Sequence, residues 1–189
     1  MSSAPRGLRL HVGLFGRRNV GKSSLLNALT RQEVSIVSPT PGTTTDPVEK
    51  PMELLPLGPV LFIDTAGVDD EGALGELRIA KTRKVLERTD LALLVAEAGT
   101  WGAFEEALLA EIAGKSLPLV VVLNKSDVAP PAPTLLARLA SAGFAAVETS
   151  APEGRGIGAL RQALLAAVPA EALEARRVVG DLVSEGDLV

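Results

Sequence analysis

The sequence predicts a doubly wound α/β fold, in which helices cover both faces of a mostly parallel sheet. Apolar runs of strand length alternate along the chain with runs of helical periodicity, the order found in βαβ proteins. Several apolar runs are continuous, as expected for parallel strands that are buried on both faces. A glycine-containing pattern, Gly16–Ser23, joins the first apolar run to the first helical run, which makes a strand–turn–helix unit.

Six strands are predicted from the apolar runs and from the turn residues between them. In chain order they are Leu8–Phe15, Pro47–Leu55, Val60–Ile63, Leu91–Ala96, Leu117–Leu123 and Ala145–Glu148. The residues Leu57, Gly58 and Pro59 predict a turn between the second and third strands. Because that connection is short, these two strands are expected to form an antiparallel hairpin at the edge of the sheet.

Five helices are predicted from the helix-like runs between these strands. They cover Ser23–Thr30, Gly75–Arg88, Ala103–Ala113, Ala132–Ala142 and Ile157–Val168. The pattern becomes less domain-like from Ala170 onward. Residues 1–169 are therefore predicted to form one domain, and residues 170–189 a linker toward a downstream domain that the chain does not include.

Composition narrows the class of protein. Apolar residues make up 47% of the 189 residues, enough for a sizeable core. The net charge of −4 argues against broad nucleic-acid binding. With no cysteine, this chain is expected to hold no disulfide and no cysteine-ligated iron–sulfur cluster. There is no secretory leader and no apolar run of membrane-spanning length, so a cytoplasmic protein without membrane contact is expected.

The Gly16–Ser23 segment, GRRNVGKS, fits the pattern G-x-x-x-x-G-K-[ST] of a phosphate-binding loop. Its glycines let backbone N–H groups point inward at phosphate oxygens, and the following helix presents its positive end to the same anion. Lys22 can reach the outer phosphates, and the Ser23 hydroxyl can bind Mg²⁺. The alternative is a plain glycine turn. The predicted nucleotide contacts are Arg18, Asn19, Val20, Gly21, Lys22, Ser23 and Ser24.

Two further polar segments suit the γ-phosphate and its metal ion. The segment Pro41–Asp46 contains Thr44, whose hydroxyl can complete the Mg²⁺ shell when a γ-phosphate is present. Asp64 ends an apolar strand, where its carboxylate can hold Mg²⁺ through water, and Gly67 offers an N–H to the γ-phosphate. The alternatives are a threonine-rich loop and a strand-terminating turn.

Base recognition is predicted at Asn124, Lys125 and Asp127, which end the fifth apolar strand. The Asp127 carboxylate can accept two hydrogen bonds, from the N1–H and the 2-amino group of guanine. Adenine lacks that pair of donors and would leave the carboxylate unpaired. Lys125 can lie along the base plane, and the backbone of Ser150 and Ala151 can meet the guanine oxygen. The alternative is a polar strand end.

These five motifs, in this order, resemble the translation-factor-related GTPases of the TrmE–Era–Obg-like group over about residues 8 to 168. The resemblance implies the Ras-like fold, a six-stranded mostly parallel sheet with one antiparallel edge strand and helices on both faces. It also implies hydrolysis of GTP to GDP and phosphate with Mg²⁺. Two functions stay open within the group, a ribosome-assembly or tRNA-modification G domain and a GTP-dependent binding switch whose hydrolysis is incidental.

A closer resemblance is to the GTPase domain of the FeFe-hydrogenase maturation factors, the HydF family. It is carried by GRRNVGKSSLLNAL and above all by TTTDPVEKPMEL at residues 43–54. The resemblance implies radical-SAM maturases and the FeFe-hydrogenase as partners, and a possible dimer. In that family, dimerisation and cluster binding belong to downstream domains, so neither function is expected in this chain.

The hydrolytic groups are less clearly marked. Val68 follows the Asp64–Gly67 motif and cannot orient a water molecule, so slow intrinsic turnover is expected. Asn19 resembles the asparagine that binds K⁺ in cation-dependent relatives, or it only shapes the loop. Glu76 either orients water or is a solvated carboxylate at a helix start. The predicted catalytic set is Lys22, Thr44, Gly67, Asn19 and Glu76.

Two arginines of the loop, Arg17 and Arg18, leave a further choice open. Either could stabilise the charge that develops on the phosphates during hydrolysis. The alternative is that both lie exposed in the variable part of the loop.

Overall fold

The computed structural model describes residues 9–30, 47–55, 57–65 and 82–170. The strands are β1 (Leu10–Phe15), β2 (Val48–Leu54), β3 (Gly58–Asp64), β4 (Leu91–Glu97), β5 (Leu119–Asn124) and β6 (Ala145–Glu148). The helices are α1 (Lys22–Thr30), α2 (Ala103–Ala113), α3 (Pro133–Ser141) and α4 (Ile157–Ala167). Residues 82–86 are also helical and fall within the helix predicted at Gly75–Arg88.

The six strands form one sheet in the order β2-β3-β1-β4-β5-β6. β2 pairs with β3 in the antiparallel direction, and every other pairing is parallel. The predicted α/β fold with a single antiparallel edge strand is therefore confirmed. Because the central strands run in one direction, their carboxyl ends meet at the same edge of the sheet, where α/β proteins bind their ligands.

Successive side chains of the central strands enter two separate apolar cores, one on each face of the sheet. Leu93 and Val95 of β4 pack into the first core with the leucines of α1 and α4. Leu94 and Ala96 pack into the second core with the apolar residues of α2 and α3. This alternation follows from the two-residue period of a strand, and it explains why β4 is apolar throughout.

The turn predicted at residues 57–59 is partly wrong. Gly58 and Pro59 belong to β3, where they lie opposite Leu54 and Glu53 of β2. Pro59 lacks a backbone N–H. In an antiparallel pair only alternate residues donate an N–H to the partner strand, so the pair of β2 and β3 can accommodate a proline. β2 itself contains Pro51. Proline suits an edge strand, because such a strand pairs on one side only and the missing N–H can affect only that one pairing.

Most other predicted boundaries shift by a residue or two, and two of these shifts involve a proline. β5 begins at Leu119 rather than Leu117, because Pro118 has no N–H to donate and only its carbonyl takes part, accepting from Ala92 N–H at 2.9 Å. α3 begins at Pro133, where a fixed φ suits the first helical position. Among the described residues, no helix combines the length and the apolar character needed to cross a membrane.

Candidate nucleotide-binding site

The Gly16–Ser23 loop joins β1 to α1 at the carboxyl edge of the sheet and packs closely on its neighbours. Gly16 has a φ of 146°, and a Cβ there would lie 2.1 Å from the Val95 carbonyl oxygen of β4. Gly21 has a φ of 93°, and a Cβ there would lie 2.4 Å from Asn124 Nδ2. Only glycine fits both positions, so the loop needs its glycines for close packing as well as for curvature.

Lys22 lies inside the curve of this loop. Its Nζ donates hydrogen bonds to the carbonyl oxygens of Gly16 at 3.0 Å and Arg17 at 2.8 Å, and the residue is 7% exposed. Helix α1 begins here, because Leu25 N–H donates to the Gly21 oxygen at 2.9 Å. A buried ammonium beside a helix N-terminus is a suitable site for an anion such as a phosphate.

The other predicted loop contacts differ in exposure. Arg18, Asn19 and Ser24 are exposed, Ser23 is half-buried and Val20 is buried. The structure therefore brings Ser23 to the mouth of the loop beside Lys22, while Val20 packs in the first apolar core. Asn19 has a positive φ of 61°, a conformation that asparagine tolerates better than most residues.

Asp64 ends β3 next to β1 and lies opposite Leu14. It is 9% exposed, and its Oδ1 atom is buried without a hydrogen-bond partner in the part of the chain that the structure describes. Burial raises the pKa of the Asp64 carboxyl, and the positive charges of Lys22 and Lys50 oppose that rise. A buried carboxylate with an unused oxygen fits the predicted role of a ligand behind the Mg²⁺ hydration shell, with the Ser23 hydroxyl as the direct ligand.

Thr65 is a residue that sequence reasoning left without a role. Its backbone N–H and its hydroxyl both donate to the Leu14 carbonyl oxygen, at 3.2 and 2.8 Å. These two bonds continue the β1–β3 contact one residue past the end of β3. Thr65 therefore fixes the direction in which the chain leaves Asp64. A hydroxyl residue at a strand end was the sequence feature that could have indicated this role.

Asn124 connects the phosphate loop to the last strand. Its Nδ2 donates to the Val20 carbonyl oxygen at 2.9 Å, and its Oδ1 accepts from the Thr149 hydroxyl at 2.9 Å and from Ala151 N–H at 3.3 Å. The residue is 1% exposed. The structure thus uses the polar atoms of this side chain to hold three segments together, a role that the predicted base-binding assignment did not include.

Lys125 makes a second connection to the phosphate loop. Its Nζ donates to the Asn19 carbonyl oxygen at 2.5 Å and to Glu97 Oε1 at 2.5 Å. Glu97 was also missed by sequence reasoning. It is the last residue of β4 and lies opposite Asn124 in the parallel pair. A charged residue at the end of an apolar strand was the sequence feature that could have identified it. The ion pair holds the aliphatic stem of Lys125 across the strand ends.

The remaining base-binding residues converge on the same edge. Asp127 is exposed at the surface, where a base could reach its carboxylate. Ser126 precedes it and donates to the Thr149 carbonyl oxygen from its N–H at 3.1 Å and its hydroxyl at 3.0 Å. Ser150 and Ala151 are buried beside these bonds. The predicted phosphate, magnesium and base residues that are described therefore lie along one edge of the sheet.

Three predicted site residues lie outside the described residues. They are Thr44, Gly67 and Glu76. Among the described residues, no group of three or more acidic or histidine side chains could hold a metal ion by itself. Of the predicted Mg²⁺ ligands, the structure describes Ser23 and Asp64, and Thr44 lies outside the described residues.

Comparisons with known proteins agree with this geometry. A family model described as 50S ribosome-binding GTPase matches residues 11–125. The chain belongs to this GTPase family. The matched range includes the phosphate loop, Asp64, Asn124 and Lys125.

Individual relatives cover most of this G domain. The tRNA modification GTPase MnmE of Paraburkholderia xenovorans is 39% identical over 170 residues, 87% of this chain and 36% of the relative. GTPase Der of Wolinella succinogenes is 42% identical over 132 residues, 68% of this chain and 27% of the relative. The chain therefore spans about a third of the length of these relatives.

A solved structure supports the fold. An Era variant from Aquifex aeolicus bound to GDP and AlF4⁻ matches with a TM-score of 0.69 and 29% identity, over 84% of this chain and 56% of that one. The Ras-like sheet of the G domain is thus shared with a protein whose structure contains a guanine nucleotide.

The buried carboxyl of Asp64 allows a test of the metal-binding edge. In the folded protein this carboxyl holds its proton more strongly than in the unfolded chain, so the free energy of unfolding falls as pH rises through the interval between the two pKa values. Asp64→Asn should remove that dependence and raise stability at pH 7 without Mg²⁺. It should also weaken Mg²⁺-dependent GDP binding by about 10–100-fold.

Urea unfolding at pH 5 and pH 8, with calorimetric titration of Mg²⁺-GDP, measures both effects. Asp90→Asn is a control on an exposed carboxylate that caps the His11 backbone N–H and lies away from the loop. A variant that loses stability at pH 7, or that binds Mg²⁺-GDP as the parent chain does, would contradict the assignment of Asp64.

Proposed function

We propose that this G domain binds Mg²⁺-GTP, hydrolyses it slowly to GDP and phosphate, and uses the two nucleotide states as a switch. The observation that carries the proposal is the convergence of Lys22, Asp64 and the Asn124–Asp127 segment at one sheet edge. Parallel strands β1, β3, β4 and β5 bring these groups together although they lie far apart in sequence. The family membership supports the same activity.

Each described residue has a distinct task in this proposal. Lys22 and the N–H groups of its loop bind the phosphates, and the buried ammonium offsets their negative charge. Ser23 and Thr44 would hold Mg²⁺, with Asp64 behind a water ligand, and the ion would neutralise charge on the phosphate oxygens. Asn124 and Lys125 keep the loop in place beneath the nucleotide, and Asp127 selects guanine. Gly67 is proposed to offer its N–H to the γ-phosphate, and both Thr44 and Gly67 lie outside the described residues.

Guanine selection can be tested at Asp127. Its carboxylate is proposed to accept two hydrogen bonds that adenine cannot donate, so the chain should bind GDP at least about 10³-fold more tightly than ADP. Asp127→Asn turns one acceptor into a donor and should weaken GDP binding by about 10²-fold or more. Calorimetry with Mg²⁺-GDP and Mg²⁺-ADP measures both values.

Glu153→Gln is the matched control, since Glu153 is an exposed carboxylate near the same strand ends that pairs with Arg155 at 3.5 Å. The control should bind GDP as the parent chain does. No saturable GDP binding by the parent chain, or equal binding of ADP, would refute the proposed function.

We further propose that K⁺ stimulates hydrolysis through Asn19. The Asn19 side chain is exposed at the outer turn of the phosphate loop, and the backbone carbonyl oxygen of Asn19 accepts a hydrogen bond from Lys125 Nζ, which holds the loop in place. An amide oxygen held in a fixed loop suits a cation with oxygen ligands. Such a charge would replace the arginine that other GTPases place beside the phosphates. Glu76 is the proposed water-orienting group, because Val68 cannot serve.

The cation dependence gives a direct measurement. Initial rates of phosphate release should be about fivefold or more higher in KCl than in NaCl at equal ionic strength. Asn19→Ala should abolish that difference while leaving GDP affinity within about threefold, since its backbone carbonyl remains for Lys125. Equal rates in the two salts would exclude a cation site, and a K⁺ effect that survives Asn19→Ala would place the site elsewhere.

Among the biological roles, the comparisons support a tRNA-modification or ribosome-related GTPase most directly. The relatives include a tRNA modification GTPase, and the matching family is described as ribosome-binding. We therefore propose RNA or an RNA-processing assembly as the target of the switch. The net charge of −4 argues against broad nucleic-acid contact, so an RNA contact of this domain would be confined to a local surface.

A second candidate is the G domain of an FeFe-hydrogenase maturation factor. One specific observation favours it, the phrase TTTDPVEKPMEL at residues 43–54, which continues into β2. In this candidate the nucleotide state would tune contacts with radical-SAM maturases and the hydrogenase. The FeFe-hydrogenase role and a binding switch with incidental hydrolysis are compatible, because both need a nucleotide-dependent partner.

One experiment separates these roles. The chain, loaded with GDP or with a non-hydrolysable GTP analogue, is mixed with total tRNA, with 16S ribosomal RNA and with a purified radical-SAM maturase. Binding or faster turnover with either RNA supports the first role. Nucleotide-dependent binding to the maturase without an RNA effect supports the second, and slow turnover that no partner accelerates favours the binding switch.

A further inference from the structure

The side chain of Arg17 leaves the phosphate loop and contacts helix α2. Its Nε donates to Glu105 Oε1 at 2.6 Å and its Nη2 to Glu105 Oε2 at 3.4 Å. The guanidinium carbon lies 4.6 Å from the centre of the Phe104 ring. A two-point contact between a planar guanidinium and a carboxylate, reinforced by an aromatic face, fixes both position and orientation.

Glu105 is held more firmly than Arg17. The Glu105 side chain is 3% exposed, whereas that of Arg17 is 40% exposed. Glu105 Oε2 also accepts the Gly102 N–H at 3.0 Å, which closes the first turn of α2. Helix α2 is in turn fixed by Leu108 and Ile112 in the second apolar core. The carboxylate is therefore a fixed point, and Arg17 is the group that it orients.

The backbone of Arg17 belongs to the phosphate site. Its carbonyl oxygen accepts a hydrogen bond from Lys22 Nζ at 2.8 Å. The same residue thus touches the phosphate-binding ammonium with its backbone and Glu105 with its side chain. A shift of Arg17 moves an acceptor on which Lys22 depends, so the two contacts are mechanically connected.

We infer that Glu105 is a positioning residue for the nucleotide site, acting on the phosphate loop and Lys22 through Arg17. The inference rests on the proposed function, because it concerns affinity for the guanine nucleotide. It also gives Arg17 a role different from the two considered above. The guanidinium contacts Glu105 and Phe104 of α2, so Arg17 orders the loop, and it neither stabilises charge on the phosphates nor lies at the surface without a contact.

The chain contains a matched control pair on the same helix. Arg83 Nε donates to Glu111 Oε1 at 2.9 Å, the same chemistry as the Arg17–Glu105 contact. Glu111 also lies in α2, but Arg83 belongs to the helical segment at residues 82–86 and not to the phosphate loop. Loss of this pair removes an arginine–glutamate contact from α2 without touching the proposed site.

The test compares Glu105→Gln, Arg17→Ala, their double variant and Glu111→Gln in the 189-residue chain. Glu105→Gln keeps the side-chain shape and one oxygen acceptor for Gly102 N–H. Each variant is loaded with N-methylanthraniloyl-GDP and Mg²⁺, and the dissociation rate is followed during a chase with unlabelled GDP. Thermal unfolding without nucleotide is recorded in parallel, because a purely structural role would change stability alone.

Glu105→Gln and Arg17→Ala should each accelerate dissociation of the labelled GDP about tenfold, while Glu111→Gln stays within about twofold of the parent chain. The double variant should dissociate no faster than Arg17→Ala within about twofold, since both substitutions break the same connection. Arg17→Lys should restore only part of the loss, because a lysine cannot make the two-point contact.

The outcomes distinguish failure of the positioning role of Glu105 from failure of the proposed nucleotide-binding function. If the parent chain takes up no labelled GDP, the proposed function fails and the inference fails with it. If the parent chain binds normally but Glu105→Gln and Arg17→Ala both release GDP at the parental rate, only the positioning role is overturned. Should Glu105→Gln not fold, Arg17→Ala decides alone, since its side chain is partly exposed. Additive effects in the double variant would also overturn the role.

Discussion

The buried amide of Asn124 is the contact on which the geometry of the site depends. Its Nδ2 donates a hydrogen bond to the phosphate loop, and its Oδ1 accepts two hydrogen bonds from the segment after β6. An amide that is 1% exposed must satisfy its polar atoms within the protein, so these bonds cannot be exchanged for water without cost. The phosphate and base segments therefore keep one relative position. Gly21 completes the constraint, since any larger residue would meet Asn124 Nδ2.

Charge is concentrated at this edge of the sheet, at some cost in the free energy of folding. Lys22, Asp64 and Glu105 are all buried, and burial of a charged group is unfavourable unless partners compensate it. Lys22 is compensated by two carbonyl oxygens and Glu105 by Arg17, but Asp64 retains an oxygen without a partner in the described part of the chain. A metal ion with its nucleotide would supply the missing compensation. The domain is thus arranged to gain stability when its ligand binds.

The fold and the nucleotide chemistry are shared across this family, and they do not determine what a particular member regulates. The sheet of the chain matches that of Era. The sequence of the chain matches 36% of the length of MnmE and 27% of the length of Der. Most of the length of MnmE and of Der lies outside the matched part. The phrase at residues 43–54 is a local feature of this chain, and its continuation in β2 lies on an edge strand that a partner can reach.

The sequence by itself determined the six strands, the helices on both faces and the polar residues that end the strands, because these features depend on local periodicity and on short spacings. It did not show that Gly58 and Pro59 extend β3, since only pairing with β2 makes them strand residues. Nor did it assign Glu97 and Glu105, which are ordinary charged residues until the sheet brings them to Lys125 and Arg17. These contacts join residues 28 and 88 positions apart. Tertiary structure decided them, because the partner of a buried charge is set by distance in space and not along the chain.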